Sequence, residues 1–69
     1  MTWDDACNAI LAAPKANGYA KAYAKAGLGM VNPERRVQAL YILNNISHWR
    51  GPVATEVRAI LKSFSHQGA

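Results

Sequence analysis

Residues 32–51 constrain the fold more than any other stretch. They open on Asn32-Pro33, close on Gly51, and hold neither glycine nor proline between. Asn32 carries the side-chain acceptor of a helix cap. Pro33 suits a first helical position, where no backbone N–H is missed, and Glu34 complements the positive helix end. Arg50 suits the negative end and Gly51 a stop. The stretch therefore predicts one long helix over residues 33–50. At about 100° per residue, Ala39, Leu40, Ile42, Leu43, Ile46 and Trp49 share one half of its wheel. The other half carries Glu34, Gln38, Asn44, Asn45 and His48, with Val37 and Tyr41 among them. An amide-rich, aromatic second face is unlike the charged face of a surface helix. It predicts a central helix with neighbours on both sides.

The rest of the chain divides into three shorter helical signals. Thr2, followed by Asp4 and Asp5, starts a helix over residues 3–13. Trp3, Cys7, Ile10 and Leu11 stand at i, i+4, i+7 and i+8 on its inner face, and Pro14 ends it. After a connection over residues 14–18, the alanine-rich residues 19–26 have high helix propensity. Tyr19 and Tyr23 form one stripe there, and Lys21 and Lys25 another. Gly27 reads as a left-handed stop. Leu28, Met30 and Val31 read as plugs of the core. Beyond the Gly51-Pro52 corner, Val53, Val57, Ile60, Leu61 and Phe64 give a regular apolar face to a helix over residues 52–64. Thr55, Glu56, Arg58 and Lys62 fall off that face, and residues 65–69 read as a tail. No repeat and no strand pattern is present. The expectation is a compact all-α, four-helix domain spanning residues 1–69, with the third helix long and central.

A chain of 69 residues buries only roughly 60% of its unfolded surface, so small domains add disulfides, metals or partner subunits. Cys7 is the single cysteine, which removes an internal disulfide. His48 and His66 are far apart, and no Cys-x-x-Cys or His-x-x-x-His pair exists, so neither a metal nor a cofactor is expected. Self-association remains, and an apolar fraction of 51% agrees with a homo-oligomer. Eight Lys and Arg against four Asp and Glu give a net charge of +4, which favours anionic partners. No apolar run reaches the roughly 20 residues that span a bilayer. Asp4 and Asp5 stand where a signal peptide is positive, and a lone cysteine suits a reducing compartment. The expectation is a cytoplasmic protein without a membrane partner.

Chemistry-bearing groups point to binding rather than catalysis. Neither histidine has a nucleophile or carboxylate placed beside it. Ser47 adjoins His48, but helical neighbours point about 100° apart. The four carboxylates sit at helix starts, where capping accounts for them. Helix–turn–helix DNA binding would use the Gly-Pro corner and Thr55, Arg58 and Lys62, yet the first turn of that helix, Pro-Val-Ala, has nothing to read base edges. An anion or nucleotide site would use Lys21 and Lys25 with Lys15, phosphate-holding Arg35, Arg36, Arg50 and Arg58, and stacking Tyr19, Tyr23, Tyr41 and Trp49. Asn44 and Asn45 offer both donors and acceptors to a base edge. The plainer account of the same residues is solvated lysines, half-buried tyrosines and a core tryptophan. A subunit contact explains the mixed Val37, Gln38, Tyr41, Asn44 and Asn45 face equally well.

Residues 37–51, with Leu40-Tyr41-Ile42-Leu43, the following Asn44 and Asn45, and Trp49-Arg50-Gly51 at their core, continued by Glu56-Val57-Arg58 and Leu61-Lys62, resemble a group of very small bacteriophage-encoded proteins. The likeness covers about the C-terminal half. It implies a phage accessory protein of the class that counters host defence. Some such proteins are all-helical oligomers that sequester cyclic nucleotide signals, and others bind and block a host nuclease. The leading expectation is thus a non-enzymatic protein holding a cyclic nucleotide between subunits. Arg50 and Arg58 would contact phosphate, Tyr41 and Trp49 would stack, and Asn44, Asn45 and His48 would recognise polar edges. Lys21 and Lys25 would add positive field. The alternatives are an inhibitor of a host defence protein, such as a CRISPR nuclease, and a small DNA-binding regulator.

Overall fold

Thr2 caps the first helix, as the sequence leads one to expect. The Asp5 N–H donates to Thr2 Oγ1 at 3.1 Å, and the Thr2 N–H donates to Asp5 Oδ2 at 3.0 Å. This reciprocal box satisfies two otherwise unpaired donors and starts α1, Trp3–Ala12. Hydrogen bonds from the Thr2 backbone and hydroxyl hold the exposed Asp5 carboxyl below its ordinary range. The computed structural model describes residues 1–66, so residues 67–69 of the expected tail lie outside the described part. Three more helices follow: α2, Gly18–Gly27; α3, Glu34–Asn44; and α4, Pro52–Ser65. Among the described residues there is no strand. No described helix is long and apolar enough to cross a membrane.

Each helix packs on two others: α1 on α2 and α4, and α3 on the same two. Sequential helices are spatial neighbours, as short connections favour, and the described domain measures 31 × 20 × 20 Å. Trp3, Cys7, Ile10, Ile42, Ile46, Val57 and Leu61 are the large buried side chains. Small residues let the backbones close in, with Ala6, Ala20, Ala24, Ala39 and Ala54 all buried. Trp3 is the centre of this packing. Its Nε1–H donates to the Gly27 carbonyl at 2.8 Å, and its ring meets Phe64 edge-on at 5.1 Å. The Arg35 guanidinium lies 5.6 Å from the Trp3 ring centre and 5.3 Å from that of Phe64, a cation–π arrangement.

Three expectations need correction. First, α3 ends at Asn44 rather than Arg50, which makes it 11 residues long against 14 for α4. Asn45 Nδ2 donates to the Tyr41 carbonyl at 2.9 Å, the acceptor that the next helical N–H would use. An asparagine that bonds its local backbone in this way competes with the helix. The chain continues in tight turns, with Asn45 N–H on the Ile42 carbonyl and Trp49 N–H on the Ile46 carbonyl. Ile46 and Trp49 are buried as expected, but from a loop. Pro33, not Asn32, occupies the cap position of α3 and follows a cis peptide bond.

Second, the α3 wheel is rotated from its expected setting. Ile42 and Ala39 are buried, but Leu40 is 46% exposed and Gln38 only 8%. Gln38 is satisfied inside because its Nε2 donates to the Tyr23 carbonyl at 2.6 Å. Third, Leu28 and Val31 do not plug the core, at 37% and 63% exposed. Gly27 does not stop α2 by a left-handed turn; Gly29 has the positive φ, at 79°. Gly27 instead lets the Trp3 ring pack closely against the end of α2. A Cβ there would lie 3.3 Å from Trp3 Cζ2 and 3.4 Å from both Cys7 Sγ and Gln38 Cγ.

Burial pushes the Cys7 thiol from an ordinary 9.0 up to about 11; the Asp4 carboxylate adds to the rise and Arg35 opposes it. The native state therefore holds the thiol proton more tightly than the unfolded chain. Its contribution to stability is present below pH 9.0 and is lost as pH rises through about 11. Native protein at pH 8 should leave Cys7 unmodified by iodoacetamide over hours, while the urea-unfolded chain reacts within minutes. Equal rates in the two states, read by mass spectrometry, would contradict this placement of the thiol.

Candidate functional site

The residues singled out from the sequence fall into three separate places. The first is the outward face of α2 and α3. Tyr23 and Tyr41 stack across the two helices with ring centres 5.5 Å apart and planes at 29°. Tyr41 is 48% exposed, Val37 and Leu40 are each 46% exposed, and Asn44 is exposed too. Val37, Leu40, Tyr41 and Asn44 stand at i, i+3, i+4 and i+7, so they share the face of α3 turned from the core. Tyr19 extends the aromatic stripe along α2 and is also exposed.

The second place is the loop over residues 45–51. Asn17 and Arg58 build it from outside. Asn17 Oδ1 accepts the Ala20 N–H at 2.7 Å and so caps α2, while Asn17 Nδ2 donates to the Asn45 carbonyl at 2.8 Å. Arg58 Nη1 donates to the Ile46 carbonyl at 3.2 Å and the Trp49 carbonyl at 2.7 Å. Three carbonyls that a continuing helix would have satisfied are met by these two side chains. Arg58 is half-buried in this work, which gives it a structural task. His48 and Arg50 are exposed on the loop and available to a ligand. Asn45 is half-buried, with its amide nitrogen on the Tyr41 carbonyl. Trp49 is only 7% exposed, so no open ring face is offered for stacking on the outer surface. Its indole instead walls a cavity of about 350 Å³ with Ala9, Ala12, Ala13, Pro14 and Val53.

The third place is the lysine flank of α2. Lys25 is exposed and Lys21 half-buried. Two residues are about 200° apart on a helix, so Lys21 and Lys25 point away from Tyr19 and Tyr23. The basic ridge and the aromatic pair are not one surface of a single copy. Among the described residues, no three His, Cys, Asp or Glu side chains cluster as a metal site would need. No buried side-chain nitrogen or oxygen lacks a partner there.

Sequence reasoning missed Asn17, the inner place of Gln38, the pairing of Tyr23 with Tyr41, and the cavity. Asn17 before Gly18 was a readable cap signal. Gln38 had none, because only its partner carbonyl on α2 makes it an inner residue. The cavity draws on three distant segments and has no local pattern. Comparison with protein-family models, curated proteins and solved structures finds no match.

Replacing Arg58 by methionine keeps the aliphatic stem and removes both carbonyl bonds. The variant should lose about 1.5–3 kcal/mol, the range for hydrogen bonds made by a charged group, read as a lower urea midpoint with unchanged slope. A variant as stable as the parent would show that the loop does not depend on this side chain.

Proposed function

We propose that the chain is a non-enzymatic binding protein that works as a homo-oligomer joined through the outward face of α3. The observation that carries the reading is the exposure of Val37, Leu40 and Tyr41 on successive turns of one helix. A contiguous apolar face of this kind on a small domain marks an interaction surface. Its flanking asparagine and tyrosine hydroxyls supply the polar margin that subunit contacts carry. A two-fold pairing sets this face against itself and needs no second kind of surface.

The ligand of this oligomer is a small anion of the cyclic nucleotide class, held at the seam between copies in the host cytoplasm. Tyr41, stacked on Tyr23, supplies an aromatic surface for a base. Asn44 supplies a donor and an acceptor, and exposed His48 and Arg50 supply polar and phosphate contacts. Lys25 adds positive field from the neighbouring helix. Arg58 and Trp49 serve the loop and the cavity wall and drop out of the ligand set. The counter-defence role rests on the resemblance of residues 37–51 to small phage proteins.

Light scattering at about 100 μM should give a mass that is a multiple of 7.5 kDa; that concentration lies well above the roughly micromolar dissociation constant of a modest interface. Leu40→Glu combined with Tyr41→Glu should return a monomer with unchanged helical circular dichroism, since both residues face outward. A monomer in the unmodified chain overturns the oligomer. Calorimetry with cyclic di- and trinucleotides tests the ligand separately, and no heat with any of them removes it while leaving the oligomer standing.

A further inference from the structure

The exposed face of α3 has a spacing of its own. Val37, Leu40 and Asn44 stand at i, i+3 and i+7, as the a, d and a positions of a heptad do. At about 100° per residue the three fall within about 60° of one another. Gln38, Ala39 and Ile42, the b, c and f positions of the same heptad, are the buried residues of this helix. Their centre lies about 180° from the seam. A coiled coil leaves b, c and f to solvent. Here the domain uses them, and the a and d row is left over with all three members exposed. A free coiled coil needs several heptads, because its helices fold as they pair. Packing on α2 and α4 already holds α3 as a helix, so that ordering cost falls outside the association.

Val at a with Leu at d favours two strands, and a single Asn at a fixes their alignment. In a parallel pair, like positions meet, so Asn44 faces Asn44 of the partner subunit. An amide carries both donor and acceptor and can bond its own copy. In an antiparallel pair, a positions meet d positions. Val37 then faces Leu40 of the partner subunit, and Asn44 faces Pro33 of the partner subunit, whose side chain has no polar atom to offer. An amide closed into that layer costs free energy. The flanks agree with the parallel choice. Arg36, exposed at the g position, reaches the e position across the seam, which is Tyr41 of the partner subunit, a cation over a ring. Glu34 occupies the preceding e position, and its matching g position is Gly29, outside the helix, so no like charges are set together.

We propose that α3 pairs in parallel with α3 of a second copy, about a two-fold axis along the seam, with Asn44 bonded to Asn44 of the partner subunit. This rests on the oligomer proposed above and fixes its arrangement. Both copies of Tyr41 and of the loop bearing His48 and Arg50 then lie at one end of the dimer, so the ligand seam is one site per pair and not two. One bond to its mate leaves each Asn44 amide a further donor and acceptor for the ligand.

Val37→Cys and Asn44→Cys, made singly in the full chain, read the arrangement by disulfide trapping. Cys7 is buried and stays in place. The two positions are about 10.5 Å apart along the helix. An antiparallel axis crosses the helix at one level and brings only one of them onto its own copy. A parallel axis brings both, and a disulfide needs Cα atoms within roughly 7 Å. Under mild oxidation both variants should become covalent dimers of twice 7.5 kDa. They should form at least roughly tenfold faster than with Glu56→Cys, an exposed control off the seam. Asn44→Asp keeps the shape and sets two carboxylates face to face. It should weaken the dimer by roughly tenfold or more at neutral pH and recover near pH ~4, where carboxylates take up protons, with helical circular dichroism unchanged. Cross-linking of only one cysteine variant, or of neither, overturns the parallel seam and leaves the oligomer standing. So does an Asn44→Asp dimer as tight as the parent. A scattering mass of three or more chains overturns the two-stranded pairing, and a mass of one chain removes the oligomer with it.

Discussion

One side chain touches all four helices. Trp3 belongs to α1, bonds the last carbonyl of α2, meets Phe64 of α4 edge-on, and carries Arg35 of α3 over its ring. A domain of this size without a disulfide has few other means of tying distant segments together. The arrangement is close at Gly27. A Cβ there would crowd the Trp3 ring at 3.3 Å and come into contact with Cys7 and Gln38 at 3.4 Å. The buried alanines of α1, α2, α3 and α4 do for the helix axes what Gly27 does for the ring: they bring the backbones near enough for one indole to reach its partners.

Much of this was readable without coordinates. Pro14, the Gly51-Pro52 corner and the Thr2 cap mark helix boundaries through purely local chemistry, and those boundaries hold to within a residue. Trp3, Cys7 and Ile10 lie buried as their spacing requires. The third helix failed for a physical reason that the sequence also contained. Two consecutive asparagines are poor helix formers because their amides bond nearby backbone. Asn45 does so on the Tyr41 carbonyl, against an otherwise unbroken apolar pattern. Leu40 and Gln38 exchanged their expected places because hydropathy ranks side chains one at a time. A glutamine goes inside when a carbonyl waits for it.

The candidate site was legible in parts and not as a whole. Tyr41, Asn44, His48 and Arg50 are exposed, as a binding role requires. Arg58 was read as a free cation because it leaves the apolar face of α4, but the loop opposite has carbonyls to satisfy. That need arises only once α3 stops early, so an error in one helix length moved the role of a residue on another. The lysines of α2 were separable from its tyrosines by spacing alone.

The burial of Gln38 has a consequence for how α3 chooses its rotational setting. Val37, Leu40 and Tyr41 on one side nearly match Ala39, Ile42 and Leu43 on the other in greasiness, so hydrophobic burial scarcely distinguishes the helix from the same helix turned about its axis. The amide does distinguish them. Turned outward, it would give up its bond to the Tyr23 carbonyl; left in place, it indexes the helix to α2 like a key in a slot. Its weight lies less in the depth of the native minimum than in there being only one of them.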